Sequence, residues 1–172
     1  MPEPYSKEET EVYHFRKPDI SDGPDIYSLI ERSKPLDLNS LYSYLLLADH
    51  FRDTCIVGER DGKIAGFISA YVPPSRRDTL FVWQVAVDEK ERGSGIGSKM
   101  LDRLIERPGM DSLSYLETTV NPSNDKSRRL FESFAKRVQA PLTTSVLFPE
   151  ELFGQGNHEA EILFRIGPFH AL

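Results

Sequence analysis

Cysteine is almost absent from this chain of 172 residues, since Cys55 is the only one. A single cysteine excludes an intrachain disulfide, so the sequence favours a reducing compartment and we expect a cytoplasmic protein. Long apolar runs are also missing, because no stretch approaches the roughly 20 apolar residues of a membrane-spanning helix. The acidic first residues likewise differ from the apolar core of a secretory signal. A membrane partner is therefore not expected.

Basic residues are outnumbered, with 21 Lys and Arg against 27 Asp and Glu, which gives a formal net charge of −6. Phosphate contacts need clustered Lys and Arg, so a general nucleic-acid-binding surface is not expected. The hydrophobic fraction of 39% supplies a core without a disulfide or metal staple. The length fits one domain. We expect a flexible N-terminal tail over residues 1–11 and a single domain over residues 12–172.

The hydrophobic pattern predicts the element order β-α-α-β-β-β-α-β-α-β-β. Asp61-Gly62 separates two apolar runs, which is a strong hairpin signal. Asn39 is the expected N-cap of the second helix, and Ser123 or Asn124 begins the fourth. Hairpins come first and a crossover helix comes later, so the sheet is expected to be mixed.

A glycine-rich segment, Arg92-Gly93-Ser94-Gly95-Ile96-Gly97, lies between the apolar run 79–87 and a predicted helix. Backbone N–H groups at a helix start form an anion site, and glycine lets a phosphate approach them. A Walker loop is excluded because Lys99 comes one place late and no hydroxyl residue for magnesium follows it. A Rossmann site is disfavoured because the polar residues 88–92 separate the strand from the first glycine.

The pattern Arg92-x-x-Gly95-x-Gly97 resembles the pyrophosphate loop of the GCN5-related N-acetyltransferases (GNAT). Longer strings resemble one group of that superfamily, the L-2,4-diaminobutyrate acetyltransferases of ectoine biosynthesis. These strings are residues 35–40, 78–87, 116–120, 122–124 and 165–169. The resemblance covers residues 15 to 169. It implies the GNAT fold, an α/β (α+β) arrangement with a mixed, mostly antiparallel sheet of about seven strands and about four flanking helices.

The resemblance implies acetyl transfer from acetyl-CoA to the γ-amine of L-2,4-diaminobutyrate. An aliphatic ammonium has an ordinary pKa near 10.4, so some group must take its proton before the nitrogen attacks. Glu117 is the expected proton acceptor, directly or through water, and holding the ammonium is its alternative role. The backbone N–H of Val85 is the expected donor to the thioester oxygen. Phe131 stands where many family members have tyrosine, so no side chain is expected to protonate the leaving thiolate.

The resemblance also implies residues that bind the cofactor, residues that bind the substrate, and a homodimer. The expected cofactor-binding residues are Val85, Val87, Arg92, Gly93, Ser94, Gly95, Ile96, Gly97, Asn124, Ser127 and Phe131. The expected substrate-binding residues are Asp37, Asn39, Tyr42, Trp83 and Glu159.

Among the substrate-binding candidates, Asp37 is expected to pair with an ammonium, while Trp83 either walls the pocket or packs in the core. Strand alternation predicts that Gln84 faces away from Trp83. No metal is expected, because the histidines form no ligand pattern. Two alternatives stay open: an acetyltransferase for another small amine, and a non-catalytic acyl-CoA-binding module.

Overall fold

The computed structural model describes residues 12–170, so the tail expected at residues 1–11 lies outside the described residues. The order of the described elements confirms the predicted one. The elements are β1 (His14–Arg16), α1 (Gly23–Glu31), α2 (Leu41–His50), β2 (Ile56–Arg60), β3 (Lys63–Tyr71), β4 (Thr79–Val87), α3 (Ile96–Ile105), β5 (Tyr115–Val120), α4 (Asp125–Arg137), β6 (Leu142–Phe148) and β7 (Glu161–Ile166).

The strands form one seven-stranded sheet in the order β1-β2-β3-β4-β5-β7-β6, as expected for the GNAT fold. Neighbours are antiparallel except β4 and β5, which are parallel and are joined through α3. The parallel ladder runs from Thr79–Tyr115 only as far as Val82–Thr118, although β4 continues to Val87. The two strands therefore separate and leave an opening in the middle of the sheet.

Helices cover both faces of the sheet because successive strand residues point to opposite sides. Ile56 and Ile68 pack with α3 and α4 in one buried cluster. Their chain neighbours Val57 and Phe67 pack with α1 and α2 in a second cluster on the other face. Gly66 permits the close approach of α3, since a Cβ atom there would lie 2.7 Å from Cε of Met100.

Two helix starts test the predicted caps. Asn124 caps α4, with its side chain accepting from the Ser127 N–H at 3.2 Å. The prediction that Asn39 caps α2 is wrong, because the Ser40 hydroxyl accepts from the Ser43 N–H. Asn39 lies one residue earlier, and its backbone N–H donates to the Tyr44 hydroxyl. Among residues 12–170, no helix has both the length and the apolar character needed to cross a bilayer.

Candidate active site

The opening between β4 and β5 exposes backbone groups of β4. The Gln84 N–H donates to Oγ of Ser69 on β3 at 3.1 Å, and the Asp88 N–H donates to the Ala65 carbonyl at 2.8 Å. These amides face β3, and successive strand amides alternate in direction. The N–H groups of Val85 and Val87 therefore face the opening. They can donate hydrogen bonds to the amide oxygens or to another carbonyl oxygen of a ligand.

The glycine-rich segment forms an anion cradle at the start of α3. Gly93 and Gly95 have φ of +81° and +79°, a region in which any other residue is strained. The Gly95 carbonyl accepts from the Lys99 N–H as the helix begins at Ile96. The amides of the first helical turn have no acceptor within the helix, and the helix dipole adds positive potential there. This arrangement suits a diphosphate group.

A groove of about 800 Å³ runs from this cradle to the opening; we call it the cofactor groove. It brings together the predicted cofactor-binding residues Val85, Val87, Arg92, Gly93, Gly95, Ile96, Gly97, Asn124 and Ser127. Ser94 and Phe131 are not in its lining. The Ser94 hydroxyl donates to the Glu91 carbonyl at 2.5 Å, and Phe131 lines the neighbouring cavity. The groove also includes Lys34 and Lys126, which no sequence motif marks.

A second cavity of about 460 Å³ lies beyond the opening; we call it the acceptor pocket. Its walls come from the segment between α1 and α2, from β4, from the end of β5, and from the region around β6 and β7. The two cavities share wall residues, namely Pro35, Leu36, Val85, Asn124 and Ser127. A molecule in the groove can therefore present its end to a molecule in the pocket.

His158 is the centre of a charged cluster in the acceptor pocket. Its Nε2 lies 3.7 Å from Oδ2 of Asp37 and 3.8 Å from Oε1 of Glu161. Its Nδ1 lies 2.6 Å from the Glu159 carbonyl oxygen, which can only accept, so the proton of the neutral ring is assigned to Nδ1. The ring stacks on Phe153 with centroids 3.8 Å apart. Nε2 is thus left as a proton acceptor with two carboxylates nearby to stabilise the imidazolium.

The predicted substrate-binding residues are divided by the structure. Asp37, Asn39 and Trp83 line the acceptor pocket. Tyr42 does not line it and is 68% exposed. Glu159 is also outside the lining, and its carboxylate accepts from the Ser123 hydroxyl at 2.5 Å.

The pocket also includes residues outside the predicted set, namely Tyr71, Gln84, His158 and Glu161. Trp83 and Gln84, which regular alternation assigns to opposite faces, both line this pocket. The pairing of β3 with β4 shifts between Ser69 and Ala70, which breaks the regular alternation at Trp83.

Glu117 is not in the position expected of a proton acceptor. It lies in the paired part of β4 and β5, opposite Phe81, and lines neither cavity. Its side chain is 4% exposed, and its two oxygens accept from Arg76 at 2.8 Å and from Arg165 at 2.5 Å. Arg165 in turn lies over the Tyr115 ring. The structure therefore places Glu117 in an ion-pair network that joins β5 to β7 and to the segment before β4.

Cys55 is buried in the cluster formed with α1 and α2, outside both cavities. Burial raises the pKa of its thiol to about 11, so it stays protonated and is a poor nucleophile at neutral pH. Within residues 12–170, no three His, Cys, Asp or Glu side chains are grouped so that they could hold a metal ion. The groups that the site presents to a ligand are backbone amides, charged side chains and the His158 imidazole.

Residues 23–135 match the model of the acetyltransferase (GNAT) family. The chain is 48% identical over 156 residues to the L-2,4-diaminobutyric acid acetyltransferase of Chromohalobacter salexigens. The aligned region covers 90% of this chain and 81% of that relative. It is 43% identical over 155 residues to the protein of the same name from Marinococcus halophilus, with 90% of both chains covered.

Among solved structures, the chain is similar to the diaminobutyrate acetyltransferase EctA from Paenibacillus lautus in complex with L-2,4-diaminobutyric acid and coenzyme A. The TM-score is 0.88 and the identity 46%, with 91% of this chain and 95% of that chain covered. Ard1 from Thermoplasma volcanium superposes with a TM-score of 0.74 at 18% identity, over 91% of this chain and 98% of that one, which shows a shared fold.

Proposed function

The chain belongs to the acetyltransferase (GNAT) family, and we propose that it transfers the acetyl group of acetyl-CoA to the γ-amine of L-2,4-diaminobutyrate. One observation carries the proposal: a groove with an anion cradle meets, at the opening between β4 and β5, a pocket with acidic side chains. Relatives that are 40–48% identical over most of the chain are diaminobutyrate acetyltransferases. The reaction forms N-γ-acetyl-diaminobutyrate and CoA, the step that the resemblance assigns to ectoine biosynthesis.

Acetyl-CoA fits the cofactor groove by charge. The amides of residues 92–97 and the guanidinium of Arg92 bind the diphosphate, and Gly93 and Gly95 leave that cradle open, with nothing within 4 Å of a Cβ built on either. The N–H groups of Val85 and Val87 bind the pantetheine arm and hold the thioester in the opening. The Val85 N–H donates to the thioester oxygen as that oxygen gains charge.

The acceptor pocket suits a small molecule that carries ammonium groups. Asp37 and Glu161 supply negative charge, and Trp83 forms an apolar wall for the short carbon chain. Opposite charges attract, and they do so more strongly at Glu161, whose side chain is only 20% exposed. Asp37 binds an ammonium of the diamino acid, while the γ-nitrogen points through the opening toward the thioester.

His158 takes the place first assigned to Glu117 as proton acceptor. An imidazole nitrogen with a free lone pair is a common general base for removing a proton from a bound substrate. Nε2 of His158 accepts that proton, and the freed nitrogen attacks the carbonyl carbon while the carbon–sulfur bond breaks. The nitrogen then gives up a second proton, directly or through water, to the departing CoA thiolate, which leaves a neutral amide and the CoA thiol. The CoA thiolate leaves with the bonding electrons and needs little help, because a thiol has an ordinary pKa near 8.5. Phe131 has no proton to give it.

The direct test is CoA release from acetyl-CoA with a panel of amines: L-2,4-diaminobutyrate, L-ornithine, L-lysine and 1,3-diaminopropane. We expect diaminobutyrate to give the highest kcat/KM, and NMR of the product to place the acetyl group on the γ-nitrogen. Turnover of another amine without turnover of diaminobutyrate contradicts the proposed substrate. Binding of acetyl-CoA without turnover of any amine indicates an acyl-CoA-binding module.

We also propose a homodimer in the cytoplasm, where acetyl-CoA is supplied. Strand β6 is one of the two edges of the described sheet. It and the following turn expose apolar side chains, namely Val146, Leu147, Phe148, Leu152 and Phe153. An exposed apolar edge strand is a surface that other chains cover. Sedimentation velocity is expected to give a dimer that Val146→Lys converts to a monomer. Ile20→Lys, at a residue exposed elsewhere, is the control that leaves the dimer intact.

A further inference from the structure

One short segment, residues 33–39 between α1 and α2, borders both cavities; we call it the strap. Lys34 lines the cofactor groove, Asp37 and Asn39 line the acceptor pocket, and Pro35 and Leu36 line both. The Asp37 side chain is 83% exposed, so its own packing does not fix its place. The position of its carboxylate beside His158 depends on how the strap backbone is held.

A buried hydrogen-bond chain holds the acceptor end of the strap. Nε2 of Gln84 donates to the Asp37 carbonyl at 2.7 Å. Oε1 of Gln84 accepts from the Tyr44 hydroxyl at 3.1 Å, and that hydroxyl accepts from the Asn39 N–H at 3.3 Å. Asp37 and Asn39 are therefore tied to two side chains of the fold. The cofactor end has a separate anchor, in which the Ser33 hydroxyl donates to the Leu29 carbonyl.

Gln84 is an unusual residue for its position. It is 4% exposed on a central strand, where a side-chain amide is costly to bury unless both of its ends are bonded. Tyr44 has no exposed surface, and burial raises the pKa of its hydroxyl, so the group stays protonated and continues to donate. An apolar pair would fill the same space. The polar pair adds a fixed backbone position for Asp37.

We infer that Gln84 and Tyr44 are positioning residues for the acceptor amine: they hold the strap so that Asp37 stands beside His158 in the acceptor pocket. The inference rests on the proposed function, since it assigns Asp37 to the acceptor. Gln84 and Tyr44 act through the strap, and Asp37 makes the contact with the substrate. Their loss lets Asp37 move away from the ammonium without disturbing the anion cradle at residues 92–97.

The kinetic test uses Gln84→Met, which keeps the volume, and Tyr44→Phe, which keeps the ring. We expect each change to raise the KM for diaminobutyrate about fivefold to tenfold. That is the change in affinity that the loss of one buried hydrogen bond typically causes. The KM for acetyl-CoA is expected to stay within twofold, and discrimination against L-ornithine to fall. Ile26→Val, in the same buried cluster as Tyr44, is the control for lost packing and is expected to change neither KM.

Hydrogen exchange of the strap gives a readout that needs no substrate. Faster exchange of residues 33–39 in both variants, but not in Ile26→Val, supports the inference together with the KM split. An unchanged KM for diaminobutyrate, an equal rise in both KM values, or unchanged strap exchange overturns it. If the wild-type protein does not acetylate diaminobutyrate, the proposed function fails, and hydrogen exchange alone then decides whether Gln84 and Tyr44 hold the strap.

Discussion

The cofactor groove and the acceptor pocket share wall residues but differ in the chemical groups that form their binding surfaces. The groove's anion cradle consists of backbone amides from one short segment, residues 92–97, at the start of α3. The pocket consists of side chains that are far apart in the sequence, such as Asp37, Trp83 and His158. A backbone cradle depends on local conformation, whereas a side-chain pocket depends on how several elements pack. Changes in the two regions should therefore separate the binding of the two substrates.

The largest separation is expected from His158→Gln, which removes the proposed proton acceptor. Loss of a general base typically costs about 10² to 10⁴ in rate, so kcat is expected to fall at least about 100-fold. The Kd of acetyl-CoA, measured by calorimetry, is expected to stay within twofold because His158 lies outside the cofactor groove. His50→Gln, at an exposed histidine, is the control. A kcat near the wild-type value would remove His158 from the mechanism.

Gly95→Val should give the opposite result by damaging the cradle. The substitution forces a β-branched residue into φ near +79° and places a side chain where the diphosphate binds. We expect the Kd of acetyl-CoA to rise about 10- to 100-fold, on the scale of lost charge-assisted hydrogen bonds.

The matched control for Gly95→Val is Gly62→Val, in the β2–β3 hairpin. Gly62 has φ of +72° but lies outside both cavities. It therefore carries the same backbone strain without the phosphate contact. Equal losses of acetyl-CoA affinity in the two variants would show that general destabilisation, rather than the cradle, explains the effect.

The difference between a local backbone cradle and a pocket formed by packing also explains which features could be predicted from the sequence. The glycine pattern, the hairpin at Asp61-Gly62 and the order of the elements are local signals, and the structure agrees with all three. His158 and Glu117 could not be distinguished in this way. Both are ionisable residues in or near strands, and only the tertiary packing shows that Glu117 meets Arg76 and Arg165 while His158 lines the pocket.

Trp83 shows a second limit of sequence patterns. Regular alternation assigns Trp83 and Gln84 to opposite faces, but a register shift between Ser69 and Ala70 brings both to the acceptor pocket. Such a shift depends on pairing with β3 and leaves no signal in β4 itself. The polar chain from Gln84 to Asp37 likewise joins residues 47 positions apart, which no local pattern links.

Glu117→Gln is expected to affect stability more than activity. The carboxylate neutralises two arginines in a nearly buried network, and removing its charge leaves them in repulsion. Breaking a buried ion pair typically costs about 3–5 kcal/mol; because Gln keeps one hydrogen-bond acceptor, we expect a loss of about 2–3 kcal/mol in the free energy of unfolding, measured in urea. At a temperature where the variant is folded, its turnover should stay within about twofold of wild type. If turnover instead falls about 100-fold while stability is unchanged, Glu117 is restored as the proton acceptor.

The smallest expected effect concerns the pH dependence of stability in α1 and α2, the two helices that the strap connects. Arg16 donates to both oxygens of Asp22 at the start of α1, and this pairing holds the pKa of that carboxyl below its usual range. A carboxyl with a lowered pKa in the folded state stabilises the fold at pH values above its unfolded pKa of about 4. That contribution is lost as the pH falls through the folded pKa. Asp88 shows the same direction beside Arg32 of the α1 terminus.

Asp22→Asn tests this ion pair. We expect the change to lower the free energy of unfolding by about 1–2 kcal/mol at pH 7, and the difference from wild type to shrink below pH 4. Hydrogen exchange in acid should rise in α1 and α2, which both contact the turn that holds Asp22, before it rises in α3 and α4. If hydrogen exchange rose equally early in α3 and α4, the stability of α1 and α2 would not depend on this ion pair.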